Sequence, residues 1–525
     1  MHYHNSPIYH TMVNKNIFKL KILFMSILTG ILSGLLVILY RVAIEMADKM
    51  RGKFYFNLLK SNIFSGIFLM IFIAILISLF LKIEPLISGS GIPQVRGLIL
   101  RQIDQNWLKI IFLKFIGGVI SIFAGLSLGR EGPSIHLGAS IGQGISSIYK
   151  NKSNKIEEKY LITAGASAGL AAAFNAPLAG VIFSLEEIHK NFSPVVLLSS
   201  MASAIAADFI SKKFFGLKPV FHFNDITPLQ LNYYFLLIIF GIILGFFGFL
   251  FNISLIKSLN SYSNLKKLPP FIKLLIPITC SALLLFIIPQ VLGGGHLLIE
   301  SIIEDNISLN FLVLLLISKF LFTMISYGSG APGGIFLPLL AIGSIAGAIY
   351  AKILILYFGL NEIYLKNFVI LGMAGYFTAI VRAPITGSIL ITEMTGSFSH
   401  LLALIIVSIT SYVTAELLGS KPIYEQLLER LIVNKKDMSH FENNEKTLIE
   451  ICVSTGSELE RKMVREIKWP PNCLLVAIRR GDKEIIPKGS TIVYEGDYLI
   501  LLTDEANAPY VKQYLLKLAS SISAW

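Results

Sequence analysis

The sequence predicts an all-α polytopic membrane protein whose core is duplicated and built from broken helices, followed by a small soluble α+β domain. Three observations carry that reading. Hydrophobic residues make up 54% of the 525 positions and charged residues only 15%, with a mean hydropathy of +0.70, far from the composition of soluble domains. Apolar runs close to the roughly 20 residues that cross hydrocarbon recur from about position 17 to position 420. After about residue 430 the character changes to a polar stretch and then to strand-like alternation.

At the start, MHYHNSPIYHTMVNKNIFKLK is polar and then basic, with no small-residue cleavage site behind a short apolar core, so no cleavable signal is expected. Its lysines favour a cytoplasmic N-terminus, and His2, His4 and His10 read as part of a mobile tail. About a dozen apolar stretches follow, among them IFSGIFLMIFIAILISLFL and YYFLLIIFGIILGFFGFLFNISLI; some are too short or too rich in Gly and Pro to be plain spans. The formal charge of +13 is scattered through short loops such as KNKSNKIEEK and forms no basic face, which argues against a nucleic-acid partner. Cys280, Cys452 and Cys473 lie far apart without metal-ligand spacing, so neither a disulfide framework nor a metal site is expected.

Within the apolar region the chain repeats itself. KFIGGVISIFAGLSLGREGPSIHLGASIGQGISSIY begins at Lys114 and KFLFTMISYGSGAPGGIFLPLLAIGSIAGAIY at Lys319; AGLAAAFNAPLAGVIFSLEE from Ala168 then matches AGYFTAIVRAPITGSILITEM from Ala374. From Lys to the Ala-Pro pair is 62 residues in one half and 64 in the other. Such duplicated halves are a recurrent transporter design, with the site where interrupted helices of the two repeats meet.

Three stretches join Gly to Pro in apolar surroundings: GSGIP at 89–93, GREGP at 129–133 and GGIFLP at 333–338. Glycine lets the backbone turn and proline suits the first helical turn, so each reads as a break followed by a helix start. Unpaired N–H groups at a helix start can hold an anion without a full cationic side chain. Close helix packing is the plainer use of any one motif; three together favour the anion site. Glu131, inside the second motif, is an ionisable group at membrane depth, which is costly and points to function.

With these motifs in this order, and KPIY at 421–424, the chain resembles the CLC family of chloride channels and chloride/proton antiporters over nearly all of residues 15–430. The resemblance implies that the two repeats are inverted. It also implies that the hydroxyls of Ser90 and Tyr424 and the backbone N–H groups of Ile335 and Phe336 hold a central chloride. Glu131 matches the gating glutamate, a tethered anion that competes with chloride, and the backbone of Arg130, Glu131 and Gly132 would line an outer anion site. The Arg130 side chain reads as structural, because a permanent cation beside the path would trap chloride. Ser90 fits the chloride pattern rather than the nitrate or fluoride patterns of the family.

Nine residues after Pro177 comes Glu186, and nine after Pro384 comes Glu393, so Glu186 has a repeat counterpart and reads as structural. Glu187 stands opposite Met394 and is additional. It matches the inner proton-transfer glutamate of the family's antiporters, which implies exchange of two chlorides for one proton, in a homodimer with one path per subunit. The alternative is a voltage- or pH-gated chloride channel without proton coupling.

No enzyme is expected, and no cofactor. Glu186 and His189 form a single E-x-x-H where di-iron sites need two, and no HExxH, phosphate loop or serine nucleophile motif occurs. His296 in GHLLIE reads as a loop residue. The expected domains are a transport unit at 1–430, with repeats at about 17–215 and 230–424, a linker at 431–445 and a cytoplasmic domain at 446–525. That last segment resembles the TrkA C-terminal type of domain, which implies either binding of a small molecule or nucleotide or a stronger dimer. Arg479 and Arg480 there either meet an anion or are solvated. The whole suggests a multi-pass protein of a bacterial plasma membrane with both termini cytoplasmic.

Overall fold

The computed structural model describes residues 7–52, 56–148, 155–190, 192–221, 223, 227–265, 267–305, 307–436, 446–481, 483–504 and 507–520. His2, His4 and residues 437–445 of the expected linker lie outside them. Two compact units divide at Leu431 and Ile432.

The first half of the membrane unit runs α1 (Pro7–Met50), α2 (Phe56–Ser61), α3 (Ile63–Ile83), α4 (Ile92–Ile99), α5 (Trp107–Phe123), α6 (Glu131–Ile148), α7 (Lys155–Phe174), α8 (Pro177–Phe183) and α9 (Pro194–Phe215). The second runs α10 (Tyr234–Asn264), α11 (Pro270–Ile287), α12 (His296–Glu304), α13 (Leu309–Gly328), α14 (Phe336–Phe358), α15 (Leu365–Val381), α16 (Pro384–Thr395), α17 (Leu401–Leu417) and α18 (Ile423–Lys436). Among the described residues, nine helices are long and apolar enough to span a membrane. Others are the short pieces of broken helices: α4 has 8 residues, α8 has 7 and α12 has 9. Two expectations need correction. His10 lies inside α1 rather than in a tail, because the apolar run continues the helix inward, and His296 opens α12 rather than sitting in a loop.

The order of elements repeats, α3 to α9 answering α11 to α17. Local chemistry sets the breaks in both halves. Gly91 and Gly295 take left-handed φ values of 95° and 106° as the caps of α4 and α12, a conformation that side chains disfavour. Pro177 and Pro384 open α8 and α16, where the missing N–H costs nothing.

Packing follows the same duplication. α6 crosses α7 at Gly138 and Gly165, and α14 crosses α15 at Gly343 and Gly372. A Cβ on Gly138 would stand 2.1 Å from the Gly165 carbonyl oxygen, and one on Gly372 would stand 2.2 Å from that of Gly343. Only glycine lets these backbones touch. Gly138→Ala is therefore expected to cost about 1–3 kcal/mol through forced separation of the helices. Thermal unfolding in detergent reads it as a lowered midpoint, and an unchanged midpoint would contradict the close crossing.

The duplicated, inverted helical core and the small α+β domain are the fold class that the sequence predicts. In the second unit β1 (Lys446–Cys452), β2 (Cys473–Arg480), β3 (Lys483–Ile485) and β4 (Tyr498–Asp504) form an antiparallel sheet in the order β1-β4-β2-β3, with α19 (Ala508–Ala519) after it. Alternation in β4 buries Leu499 and Leu501 against Val511 and Leu515 of α19. Arg480 and Arg479 each pair with a carboxylate of the same domain. Arg480 donates to both oxygens of buried Asp497 at 2.8 Å, which raises its guanidinium above the usual pKa, and Arg479 pairs with Glu450.

Candidate functional site

Four helices of the membrane unit begin around one place: α4 behind Ser90, α6 at Glu131, α14 at Phe336 and α18 just before Tyr424. Backbone bonds stitch their leading loops together. Gly129 and Gly334 exchange N–H to carbonyl bonds of 2.6 and 2.8 Å, and Gly333 N–H donates to Gly89 at 3.0 Å. Gly132 faces Ser90 so closely that a Cβ there would lie 2.8 Å from the Ser90 carbonyl oxygen. The three glycine motifs, distant in sequence, thus form one cradle of helix starts whose first N–H groups have no partner within their own helix.

Ser90, Ile335, Phe336 and Tyr424 are all buried around it. The Ser90 hydroxyl accepts from Ile92 N–H at 3.3 Å. Phe183 stands edge-on to Tyr424 at 6.5 Å and to Phe336 at 6.0 Å, and Phe174 and Phe377 pack on Phe336 at 5.4 and 4.8 Å. This aromatic collar excludes water, which strengthens any attraction between the amides and an anion. Among the described residues the Tyr424 hydroxyl and both carboxylate oxygens of Glu131 find no hydrogen-bond partner. Buried polar atoms are rarely left so, and the exceptions ask for a ligand or a function.

Glu131 is fully buried. Its carboxylate lies over Gly129, where a Cβ would come within 2.3 Å of Oε2, and the backbone amides of Arg130, Glu131 and Leu337 face it. Arg130 turns elsewhere: its guanidinium donates to Glu45 of α1 at 3.3 Å and stays 4.0 Å from Glu131. Beside Gly129 and Arg130 opens a cavity of about 580 Å³, lined also by Glu45, Arg51, His296 and Leu337.

Glu187 lies in a π-helical turn, Ser184–His189, that continues α8. It is 2% exposed, and its Oε1 stands 3.7 Å from Arg96 of α4. Its neighbour Glu186 points to the other repeat and accepts from Ile385 N–H at 3.3 Å and Thr386 N–H at 2.8 Å, at the start of α16. Glu393 returns the favour at the start of α8, accepting from Leu178 and Ala179 at 3.2 and 2.7 Å. This reciprocal capping is the contact pattern of a two-fold relation between the repeats, with carboxylates at the positive helix ends.

Sequence reasoning missed two buried lysines. Lys114 Nζ donates to the carbonyls of Ile87 and Gly89 at 2.7 and 2.6 Å, and Lys319 Nζ to those of Val291 and Gly293 at 2.8 and 2.7 Å. The signal was present, since both open the repeated Lys-Phe blocks. Each Nζ fixes the glycine turn in front of a short helix, α4 or α12.

The profile of the voltage gated chloride channel family matches residues 72–416. The chain belongs to that family. The TrkA-C domain profile matches residues 448–516, so this chloride-channel family member carries a TrkA-C domain behind its membrane unit. An H(+)/Cl(-) exchange transporter ClcA of Vibrio vulnificus is 37% identical over 366 residues, covering 68% of this chain and 77% of the relative. The same named transporter of Vibrio cholerae is 37% identical over 361 residues, with the same coverage. Among solved structures, a slow cyanobacterial Cl-/H+ antiporter superposes with a TM-score of 0.74 at 31% identity, over 79% of this chain and 99% of that one. A CLC-type fluoride/proton antiporter, at 23% identity and a TM-score of 0.65 over 80% and 98% of the two chains, shares the fold.

Proposed function

We propose that this family member exchanges chloride for protons across a bacterial plasma membrane, with both termini cytoplasmic. The observation that carries the reading is the fully buried carboxylate of Glu131 at a cradle of helix starts, faced by the backbone amides of Arg130, Glu131 and Leu337. A carboxylate and a chloride are both anions that such a cradle attracts, so they compete for it. In this reading the hydroxyls of Ser90 and Tyr424 and the amides of Ile335 and Phe336 hold the central chloride. The backbone of Arg130, Glu131 and Gly132 lines the outer site. Protonation neutralises Glu131, which then yields its place to chloride, and Glu187 delivers the proton from the cytoplasmic side, one for two chlorides.

The exchange names of the Vibrio relatives and of the cyanobacterial structure support this reading over a channel. The protein works as a homodimer with one path per subunit, and the TrkA-C domain regulates it by binding a small molecule or nucleotide.

Chloride binding tests the cradle by titration calorimetry on the purified protein. Chloride is expected to bind the wild type and to bind Lys114→Met roughly tenfold more weakly, because each of the two hydrogen bonds from Nζ is worth about 0.5–1.5 kcal/mol and one of them holds the Gly89 carbonyl next to Ser90. Equal affinities would overturn the placement of chloride at Ser90.

A further inference from the structure

Glu425 follows Tyr424 directly at the start of α18 and takes no part in the cradle. Its Oε1 accepts from Arg96 Nη2 at 2.9 Å and from Lys190 Nζ. Arg96 thereby stands between two carboxylates, and the two contacts differ in kind. Toward Glu425 it makes a hydrogen-bonded ion pair; toward Glu187 it is 3.7 Å away, and neither Arg96 Nη1 nor Glu187 Oε1 completes a hydrogen bond among the described residues. The Glu425 side chain is 33% exposed and that of Glu187 only 3%. The cluster thus runs from solvent inward through a shared guanidinium.

An arginine that paired fully with Glu187 would hold it ionised, since a charge-assisted pair at low dielectric strongly favours the carboxylate. A group that must gain and lose a proton in each cycle cannot be held so. We propose that Glu425 is a positioning residue that draws Arg96 toward itself and so keeps Glu187 free to exchange its proton. The proposal rests on the exchange reading above.

Of the groups around the turn, Lys190 and Arg96 are the two cations that act on Glu187, and Glu425 holds both. Lys190 is committed to Glu425, and Glu186 to the start of α16. From α7, Thr163 bonds His189 Nδ1 at 3.0 Å, and Tyr160 packs in the apolar cluster of Leu185. α8 has no titratable side chain. On α9, Lys212 pairs with Asp208 at 2.7 Å, and Lys213 lies over the Phe209 ring.

The test is chloride-driven proton uptake into liposomes by wild type, Glu425→Gln and the double variant Arg96→Gln with Glu425→Gln, each across a range of cytoplasmic-side pH. Glu425→Gln releases Arg96 to Glu187, so uptake is expected to fall at least tenfold at neutral pH and to recover only at lower pH, while chloride flux persists. In the double variant Arg96 is gone and only Lys190 remains to act on Glu187, so uptake is expected to recover at least severalfold over Glu425→Gln. Uptake by Glu425→Gln with the wild-type rate and pH profile would overturn the proposal, as would a loss that removing Arg96 fails to rescue, which would make the cluster merely structural. Wild type that moves chloride without protons would overturn the exchange reading itself, and this inference with it.

Discussion

Glu131→Ala is expected to abolish proton movement while chloride still crosses. In the wild type the Glu131 carboxylate is buried at the head of α6, with the Leu337 amide of α14 before it. In the proposed exchange, truncation removes both the proton carrier and the tethered competitor and leaves the cradle open to chloride at all times. Glu131→Gln keeps the shape of the protonated side chain and is expected to behave the same way, since it can neither release a proton nor present a charge. The proton-to-chloride flux ratio should fall to zero in both, and chloride flux should lose its dependence on pH. A variant that still couples the two ions would show that another group carries the proton at the cradle.

Glu187→Gln is expected to stop proton movement as completely, with chloride flux reduced but present. The residue is 2% exposed and lies in the π-helical turn that continues α8, 3.7 Å from Arg96. In the proposed exchange Glu187 serves the proton and Glu131 meets the anion as well, and the two variants separate these roles. Chloride affinity should stay within about twofold of wild type by calorimetry, less than the 1.4 kcal/mol that a tenfold change requires. Persistent proton uptake in Glu187→Gln would return the residue to a structural role and direct the search to other carboxylates at that end of the site.

The architecture was legible wherever the repeat could be aligned. The nine-residue spacing from Pro177 to Glu186 and from Pro384 to Glu393 gave these two a shared role, and they cap each other's repeat at the starts of α8 and α16. The alternation of CLLVAIRR and YLILLTD marked strands because a sheet packed on one face buries every second residue. The converging glycine motifs were visible as motifs, whereas their stitching through Gly129 and Gly334 depends on backbone contacts between loops distant in sequence.

Other features were hidden because their partners lie far along the chain. Arg130 takes its carboxylate from Glu45, 85 positions away, and Arg96 takes its own from Glu425, 329 positions away. A lysine in an apolar run looks like a flaw in a span until its Nζ is seen to bond two carbonyls, as in Lys114 and Lys319. The match of PLISGSGIP with PQVLGGGHL, which sets Gly295 opposite Gly91, is too short and too glycine-rich to stand out from sequence alone.

The central claim is that chloride and protons move as one coupled exchange through this site. Purified protein in liposomes, given an outward chloride gradient at zero initial pH difference with the membrane potential clamped, tests it through internal pH. The account predicts that protons enter against the gradient they build as chloride leaves, and that the uptake vanishes in Glu187→Gln. Chloride efflux with no change in internal pH would contradict it and make the protein a chloride channel.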